Sequence, residues 1–141
     1  MASIEDAVRS RVSGLAAVST ITSTIRPYRL QQGDTLPAVV VSVDEETHEN
    51  SLDGLGGVVS AQVRIQSLAE TLAEARSLSE AIRGTGGTTG MAGYTGTVSS
   101  VGIQASILQR KQFDFTPYSD ASDEGFYSVD SVYLIQYTET P

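Results

Sequence analysis

Residues 58–84 constrain the fold most, because the spacing of their hydrophobic residues changes once, from two residues to about 3.6. Up to Gln66, apolar and polar residues alternate, as expected for a strand that is buried on one side only. The apolar residues are Val59, Ala61, Val63 and Ile65, and the polar ones are Ser60, Gln62, Arg64 and Gln66. This alternation predicts a strand with one face in the core.

The second part of the same stretch has helical spacing. After Leu68, one stripe consists of Leu72, Ala75, Leu78 and Ile82. Thr71 and Glu74 form a capping box, and Gly84 suits the position that follows a helix. Because neither apolar face is large enough to be stable alone, we expect the helix to pack on the sheet in two layers.

Other segments predict a second helix and four more strands. Ser3 and Asp6 begin a helix that ends near Gly14. Strands are expected at residues 25–28, 36–43, 101–107 and 126–137, with a hairpin turn at 50–57 and a polar connection at 110–125. The residues expected on the core side of the last two strands are Val101, Ile103, Ala105, Ile107, Tyr127, Val129, Tyr133, Ile135 and Tyr137.

Together these elements predict an α+β fold, with a single mainly antiparallel sheet of about five strands and two helices packed on one face. A chain of 141 residues with 40% hydrophobic content can bury one modest core, so residues 1–141 are expected to form a single domain. The other face of the sheet is expected to meet water or another subunit. Its polar side chains are Ser60, Gln62, Arg64, Gln66, Gln104, Ser106, Asp130 and Gln136.

Residues 84–96 form a glycine-rich loop, with six glycines in thirteen residues. Ordering glycine costs more backbone entropy than ordering any other residue, and Met91 and Tyr94 are the only large side chains available to offset that cost. We therefore expect the loop to fold against an adjacent protein, although a loop held by its own domain remains the alternative. The candidate subunit-interface residues are Met91, Tyr94, Gly86, Gly87, Gly90, Arg64 and Gln62.

The charge of the chain argues against several classes of partner. Nine Lys and Arg against 17 Asp and Glu give a net charge of −8, which is unsuited to gripping nucleic acid phosphates or anionic membranes. The chain has no cysteine, which excludes disulfides and thiolate metal sites. Its first residues lack the bases of a signal peptide, and no apolar run reaches membrane-spanning length, so we expect a soluble protein that is not exported by that route.

No motif predicts a catalytic, cofactor or metal site. The single histidine, His48, lies in an acidic segment where a solvated side chain is the simpler interpretation. The glycine run lacks the Lys-Ser/Thr of a phosphate-binding loop. Residues 120–125 resemble the first half of a calcium loop, but Ser131 stands where the bidentate acid is required. The acids of residues 44–49 lack any sign of a cleft. We therefore expect a protein that is not an enzyme.

The order of elements resembles the tail-completion, or tail-terminator, proteins of long-tailed bacteriophages. The resemblance rests on an amino-terminal helix, a short Ile25-Arg26-Pro27-Tyr28 segment, a Gln32-Gly33 to Leu36-Pro37 turn before a valine-rich strand, the Thr71-x-x-Glu74-Ala75 helix start, and a late acidic-Gly-Phe/Tyr strand. It covers nearly the whole chain, and the glycine loop and the 50–57 turn depart from the pattern.

The resemblance implies a structural virion protein that forms a hexameric ring at the head-proximal end of the tail tube. Such a ring would end tube growth and offer a joining surface to the head connector, with phage DNA passing through without being bound. The partners implied are further copies of the chain, the tail tube protein and the connector or neck protein, with assembly in the host cytoplasm. A different neck adaptor, or a small acidic ligand-binding or enzymatic domain, remains an alternative.

Overall fold

The computed structural model describes residues 3–22, 24–30, 33–48, 58–84, 90–98, 101–117 and 125–139. Its elements, in chain order, are α1 (Ile4–Ser13), α2 (Ala16–Ser19), β1 (Ile25–Pro27), β2 (Ala38–His48), β3 (Val58–Ala69), α3 (Leu72–Arg83), β4 (Gly96–Val98), β5 (Val101–Pro117) and β6 (Gly125–Glu139). The strands form one mixed sheet in the order β1-β2-β3-β6-β5-β4. Strands β1 and β2 are parallel, and all other neighbours are antiparallel.

This architecture confirms the α+β fold and corrects the predicted number of elements. The described residues contain six strands and three helices, where about five strands and two helices were expected. The additional helix, α2, has four residues, and the additional strand, β4, has three. Elements this short do not complete a hydrophobic period, so the spacing of apolar residues could not indicate them.

Strand β3 lies at the centre of the sheet and confirms the predicted alternation. Val59, Ala61, Val63 and Ile65 are all at most 3% exposed, whereas the residues between them are partly exposed. It pairs with β2 on one side and with β6 on the other, both antiparallel. Strands β2 and β3 therefore form the predicted antiparallel pair, and the predicted turn at residues 50–57 lies outside the described residues.

Helix α3 packs on β3 and β6, as the two-layer prediction requires. The Thr71 side chain accepts a hydrogen bond from the Glu74 backbone amide, and Gly84 ends the helix with a φ of 74°. Ala75, Leu78 and Ile82 are buried, as predicted. Leu72 is a correction: it is 38% exposed. Leu72 lies in the first turn of α3, outside the main core, so its side chain stays partly in contact with solvent.

Helix α1 contacts β1 and β2 and buries Ile4, Ala7, Val8 and Val12. The Ser3 side chain accepts a hydrogen bond from the Asp6 amide, as predicted for its cap. Beyond β1, Tyr28 takes a positive φ of 63°, and its hydroxyl donates to Glu5 Oε1 at 2.6 Å. The three helices thus share the face of the sheet on which the main hydrophobic core lies.

Strand β5 differs most from its prediction. Its register to β6 shifts between Ile103 and Ala105 and again between Leu108 and Arg110. Each shift is a β-bulge, which moves the following side chains to the opposite face. As a result Ser106 is 2% exposed, whereas Ile107 is 56% exposed, the reverse of the predicted arrangement.

The strand also continues through residues 110–117, where a polar connection was predicted. Gln, Arg and Lys side chains are common in loops, but here they belong to a strand that pairs with β6 down to Pro117 and Gly125. Strand β2 likewise extends through its acidic residues to His48. In both cases strand pairing outweighed local composition.

The face away from the helices is partly buried, because the sheet is curled. Residues from β2, β3, β5 and β6 line a groove of about 500 Å³ on this face, together with the segment that follows β1. The bulges in β2 and β5 provide the bend. Asp130 in the groove is only 9% exposed, although it was predicted to face water or another subunit. None of the helices in the described ranges is long and apolar enough to cross a membrane.

Candidate assembly surface

The described part of the glycine loop packs on its own subunit. Met91 is fully buried in the main core, and its backbone amide donates to Ile82 O at 2.7 Å. The Gly93 amide donates to Ser106 O at 2.7 Å. The expectation that Met91 anchors the loop to a neighbouring protein is therefore corrected, because none of its side chain is accessible. The hydrophobic effect that holds this residue acts within the chain.

Gly90 and Tyr94 also have contacts inside the subunit. A Cβ at Gly90 would lie 2.3 Å from Arg83 O, so only glycine allows the loop to approach the end of α3 this closely. Arg11 Nη2 donates to Gly90 O at 3.2 Å, and the Arg11 guanidinium lies 3.9 Å from the centre of the Tyr94 ring. Tyr94 is partly buried and keeps some exposed surface. Gly86 and Gly87 lie outside the described residues.

Arg64 and Gln62, the other predicted interface residues, lie on β3 facing away from the helices. Both are partly exposed, and Arg64 forms an ion pair with Asp44 at 3.0 Å. Farther along the same face, Gln66 Nε2 donates to Asp130 Oδ1 at 3.3 Å. This face is accessible near Arg64 and Gln62, whereas Asp130, which lines the groove, is almost completely buried. Arg64 and Gln62 remain predicted interface residues.

The outer half of β5, residues 109–117, carries the largest exposed aromatic side chains of the described sheet. Phe113 and Phe115 are 44% and 43% exposed. The Arg76 guanidinium lies 4.8 Å from the Phe113 ring centre, and the Phe115 and Tyr127 rings are 4.9 Å apart between centres. Exposed aromatics of this kind are typical of contact surfaces. The Phe113-Asp114-Phe115 alternation could have indicated a strand with this apolar side.

The groove on the curled face lacks a recognisable catalytic arrangement among its described residues. Its charged side chains are Arg29, Asp114 and Asp130, and the remaining lining residues are Tyr28, Leu30, Val40, Gln66, Leu68, Phe115, Thr116, Phe126 and Ser128. His48 is far along β2, where its Nε2 lies 3.5 Å from Glu46 Oε2 and its side chain is half exposed. General acid–base catalysis requires such groups to meet in one site.

Buried hydroxyl groups lie beneath α3 and are inaccessible from the groove side. Ser79 Oγ and Ser131 Oγ are 3.2 Å apart, and burial raises the pKa of Tyr133 above its ordinary value. The Tyr133 hydroxyl has no hydrogen-bond partner among the described residues. A nucleophile needs a nearby base and an open approach, and neither is present at these hydroxyls in the described structure.

The described ranges contain no group of three or more His, Cys, Asp or Glu side chains arranged to hold a metal ion. The calcium-like turn at residues 120–125 lies outside the described residues except for Gly125, which begins β6. There a Cβ would lie 2.2 Å from Thr116 O, so glycine is required by the close approach of the two paired strands.

Comparisons with known proteins agree with the sequence resemblance. The fold is similar to a chain from a solved structure described as the virion of a native gene transfer agent (GTA) particle, with a TM-score of 0.66 and 14% identity over 96% of this chain and 94% of that one. No curated protein matches significantly. The family model for tail completion protein gp17 matches residues 6–85, more than half of the 141 residues. The chain therefore belongs to the tail completion protein gp17 family and is a structural protein of a virion tail.

Proposed function

We propose that six copies of this protein form a ring at the head-proximal end of the tail tube, where the ring ends tube growth and joins the tail to the head connector. The family match over residues 6–85 carries this proposal. The described residues contain a sheet, a helical layer and exposed aromatic side chains, but no arranged catalytic groups. A structural role in assembly requires only such surfaces.

Two features of the subunit support an assembly role. Phe113 and Phe115 are largely exposed. A partner protein that covered them would gain about 25 cal/mol of binding free energy for each Å² of apolar surface removed from water. The net charge of −8 lets DNA pass through a ring without tight contact, because phosphate binding needs clustered Lys and Arg. The ring assembles from the host cytoplasm onto a finished tube and becomes part of the virion.

The experiment is electron microscopy of the purified protein mixed with tail tubes. The expected result is a ring at one end of each tube, and light scattering should show a monomer or weak oligomer before tubes are added. A protein that binds the head connector but ignores tubes would instead be a neck adaptor. A stable dimer that binds neither partner would contradict both assembly roles.

A mobility-shift experiment with duplex DNA provides the control for the charge argument. At physiological salt the protein should give no shift, since its nine basic residues are outnumbered by 17 acids. Tight and salt-sensitive binding would show that the protein holds DNA itself, which the proposed role does not include.

A further inference from the structure

The outer edge of β5 is open along most of its length among the described residues. Strand β4 pairs with residues 101–103 and is the only described strand on that side. Residues 107–117 therefore lie beside β6 on one side and beside no described strand on the other. The side chains of residues 109–117 are exposed except that of Lys111, which is half-buried. A strand edge of this kind presents backbone donors and acceptors that readily join another strand.

Residues 110–114 of this edge carry opposite charges at their two ends. In order they are Arg, Lys, Gln, Phe and Asp. If two copies pair antiparallel with Gln112 at the centre, Arg110 of each copy comes opposite Asp114 of the other. Gln112 is paired with Asp130 of the groove, so the side chains at positions 110, 112 and 114 share the face away from the helices. Opposite charges that face each other across two strands stabilise the pair.

Arg110 and Asp114 are available for a contact between copies. Both are exposed, and neither has an ion-pair partner among the described residues. Lys111, by contrast, is bound to Glu80 of α3. The charges also select the register, because a centre at Arg110 or at Lys111 would bring two like charges face to face. A centre at Gln112 instead forms two opposite-charge pairs.

The same register leaves β4 in place. With Gln112 at the centre, Pro117 at the end of one β5 comes level with a position near residue 107 of the other. Each strand therefore ends before it reaches residues 101–103, which β4 covers. The bulge between Leu108 and Arg110 ends the regular pairing, so the regular contact consists of residues 110–114.

The side of β5 that faces the helical layer also suits this contact. Phe113 is 44% exposed. In the register centred on Gln112, the Phe113 side chains of the two copies are diagonal neighbours, and aromatic side chains reach each other at that spacing. Helix α3 contacts β3 and β6, so the paired β5 strands keep the helical layers of the two copies apart. The contact therefore removes apolar surface from water without moving a helix.

We propose that two copies of the free protein pair antiparallel through residues 110–114 of β5, about a two-fold axis at Gln112. A two-fold contact joins two copies and goes no further, unlike the head-to-tail contacts of a ring. One pair of strands is smaller than the about 1,200–2,000 Å² that stable interfaces bury, so the dimer is weak and reversible. The dimer covers the open edge and Phe113 until tail tubes take up the subunits, and this last step rests on the proposed function.

The chain has no cysteine, so a single engineered cysteine reports the register directly. In Gln112→Cys the two thiols meet across the axis, where opposite Cα atoms of an antiparallel pair are about 4.5–5.5 Å apart, within the range that a disulfide bridges. Mild oxidation of the free variant should therefore give a covalent dimer. Thr116→Cys is the matched control, because position 116 is exposed on the same face of β5 but lies far from its own copy in this register. It should give little dimer under the same conditions.

Charge variants provide an independent measurement, with sedimentation of the free protein giving the dissociation constant of the dimer. Arg110→Glu and Asp114→Arg should each raise this constant about tenfold, because each replaces two attractive pairs with like charges. The double variant restores opposite charges and should return the constant to near the parent value. Arg9→Glu on α1 makes the same charge change away from β5 and should leave the constant unchanged. Circular dichroism confirms that each variant is folded.

Three results would overturn the contact. Gln112→Cys that cross-links no faster than Thr116→Cys would show that β5 does not pair with itself. Faster cross-linking of Phe113→Cys than of Gln112→Cys would move the axis and separate Arg110 from Asp114. A Gln112→Cys cross-link to the tube protein alone would assign the open edge to that partner.

Tail tubes separate this inference from the proposed function. The Gln112→Cys dimer locked by oxidation should not add to tubes, and reduction should restore ring formation. A locked dimer that adds to tubes as well as the parent protein does would overturn the assignment of the contact to the free protein. A dimer that cross-links as expected in a protein that never joins tubes, even when reduced, would support the contact and contradict the tube-end role.

Discussion

Strand β3 and the outer half of β5 are both extended segments with apolar residues two positions apart, yet their surroundings differ completely. Val63 and Ile65 of β3 are fully buried beneath the helices, whereas Phe113 and Phe115 of β5 are more than 40% exposed. The difference comes from position in the sheet. Strand β3 has strands on both sides and α3 above it, while the outer half of β5 is paired with β6 and is contacted from α3 by the side chains of Arg76 and Glu80. Burial depends on what covers a strand as well as on its own pattern.

The two segments therefore make different contributions. Truncation in the covered region should cost folding free energy, because it leaves a cavity in a packed core. Truncation in the uncovered region should cost little folding free energy and should instead weaken assembly. The four predictions below test this division, in order of decreasing effect on stability.

The largest effect is expected for Leu78→Ala in α3. Leu78 is fully buried, so the variant should lose about 3–5 kcal/mol of unfolding free energy. Leu72→Ala is the matched control in the same helix, and at 38% exposure it should lose less than about 1 kcal/mol. Chemical denaturation of both variants provides the measurement. Equal losses would mean that the first turn of α3 is covered as well.

A smaller but clear loss is expected for Met91→Ala, about 2–3 kcal/mol in the free subunit, because Met91 is fully buried in its own core. Hydrogen exchange on the free protein should also show protected amides at Met91, Ala92 and Gly93, which donate to Ile82, Arg83 and Ser106. If the exchange of these amides slows only after assembly, the loop is ordered by a neighbouring protein and not by its own subunit.

Phe113→Ala should lower the unfolding free energy by about 1 kcal/mol or less, since the side chain is 44% exposed and its described ring contact is with Arg76. The same variant should assemble measurably less well on tubes if the outer half of β5 meets a partner. Phe113→Leu, which keeps an apolar side chain, should recover part of the assembly. A stability loss as large as that of Leu78→Ala would show that Phe113 belongs to the core.

The smallest effect concerns the Glu5–Tyr28 hydrogen bond between α1 and the end of β1. Burial acts to raise the pKa of Glu5, but the hydrogen bonds from Tyr28 and from neighbouring groups outweigh it and hold the pKa below its ordinary value. A lowered folded-state pKa stabilises the fold above the unfolded value, and this stability is lost as the pH falls through the folded value.

Tyr28→Phe removes that hydrogen bond and should cost about 0.5–1 kcal/mol at pH 7, with a smaller difference from the parent protein in acid. Urea unfolding at the two pH values measures the difference. Phe keeps the ring, so the comparison isolates the hydroxyl. A cost that does not change between the two pH values would show that Glu5 is not the partner that matters.

Much of the fold followed from local patterns. The alternation before Gln66 and the helical stripe after Leu68 predicted β3 and α3, and the caps at Ser3 and Thr71 form as expected. These features depend on contacts within a few residues, which the order of amino acids already contains. The resemblance to tail completion proteins, based on the order of elements, is confirmed by the family match.

The candidate surface was predicted less well. Met91 was predicted to lie at an interface, because a glycine-rich loop gains little from ordering alone. In the structure its side chain is buried in the main hydrophobic core of its own subunit. The aromatic residues of β5 were assigned to a polar connection, because Arg110 and Lys111 precede them. Both errors come from distant contacts: Met91 meets α3, and residues 110–117 pair with β6.

The sequence by itself determined which segments form the central strand and the long helices, the acidic charge and the family. Periodicity and capping depend only on residues that are close in the chain, and net charge is a sum over all residues. They can therefore be determined without knowing the rest of the fold. Only the tertiary structure decided the bulges that turn Ile107 outward, the burial of Asp130 in the curled face and the order of the strands in the sheet. These depend on which strands become neighbours and where each stops, and strand pairing joins residues far apart in the chain.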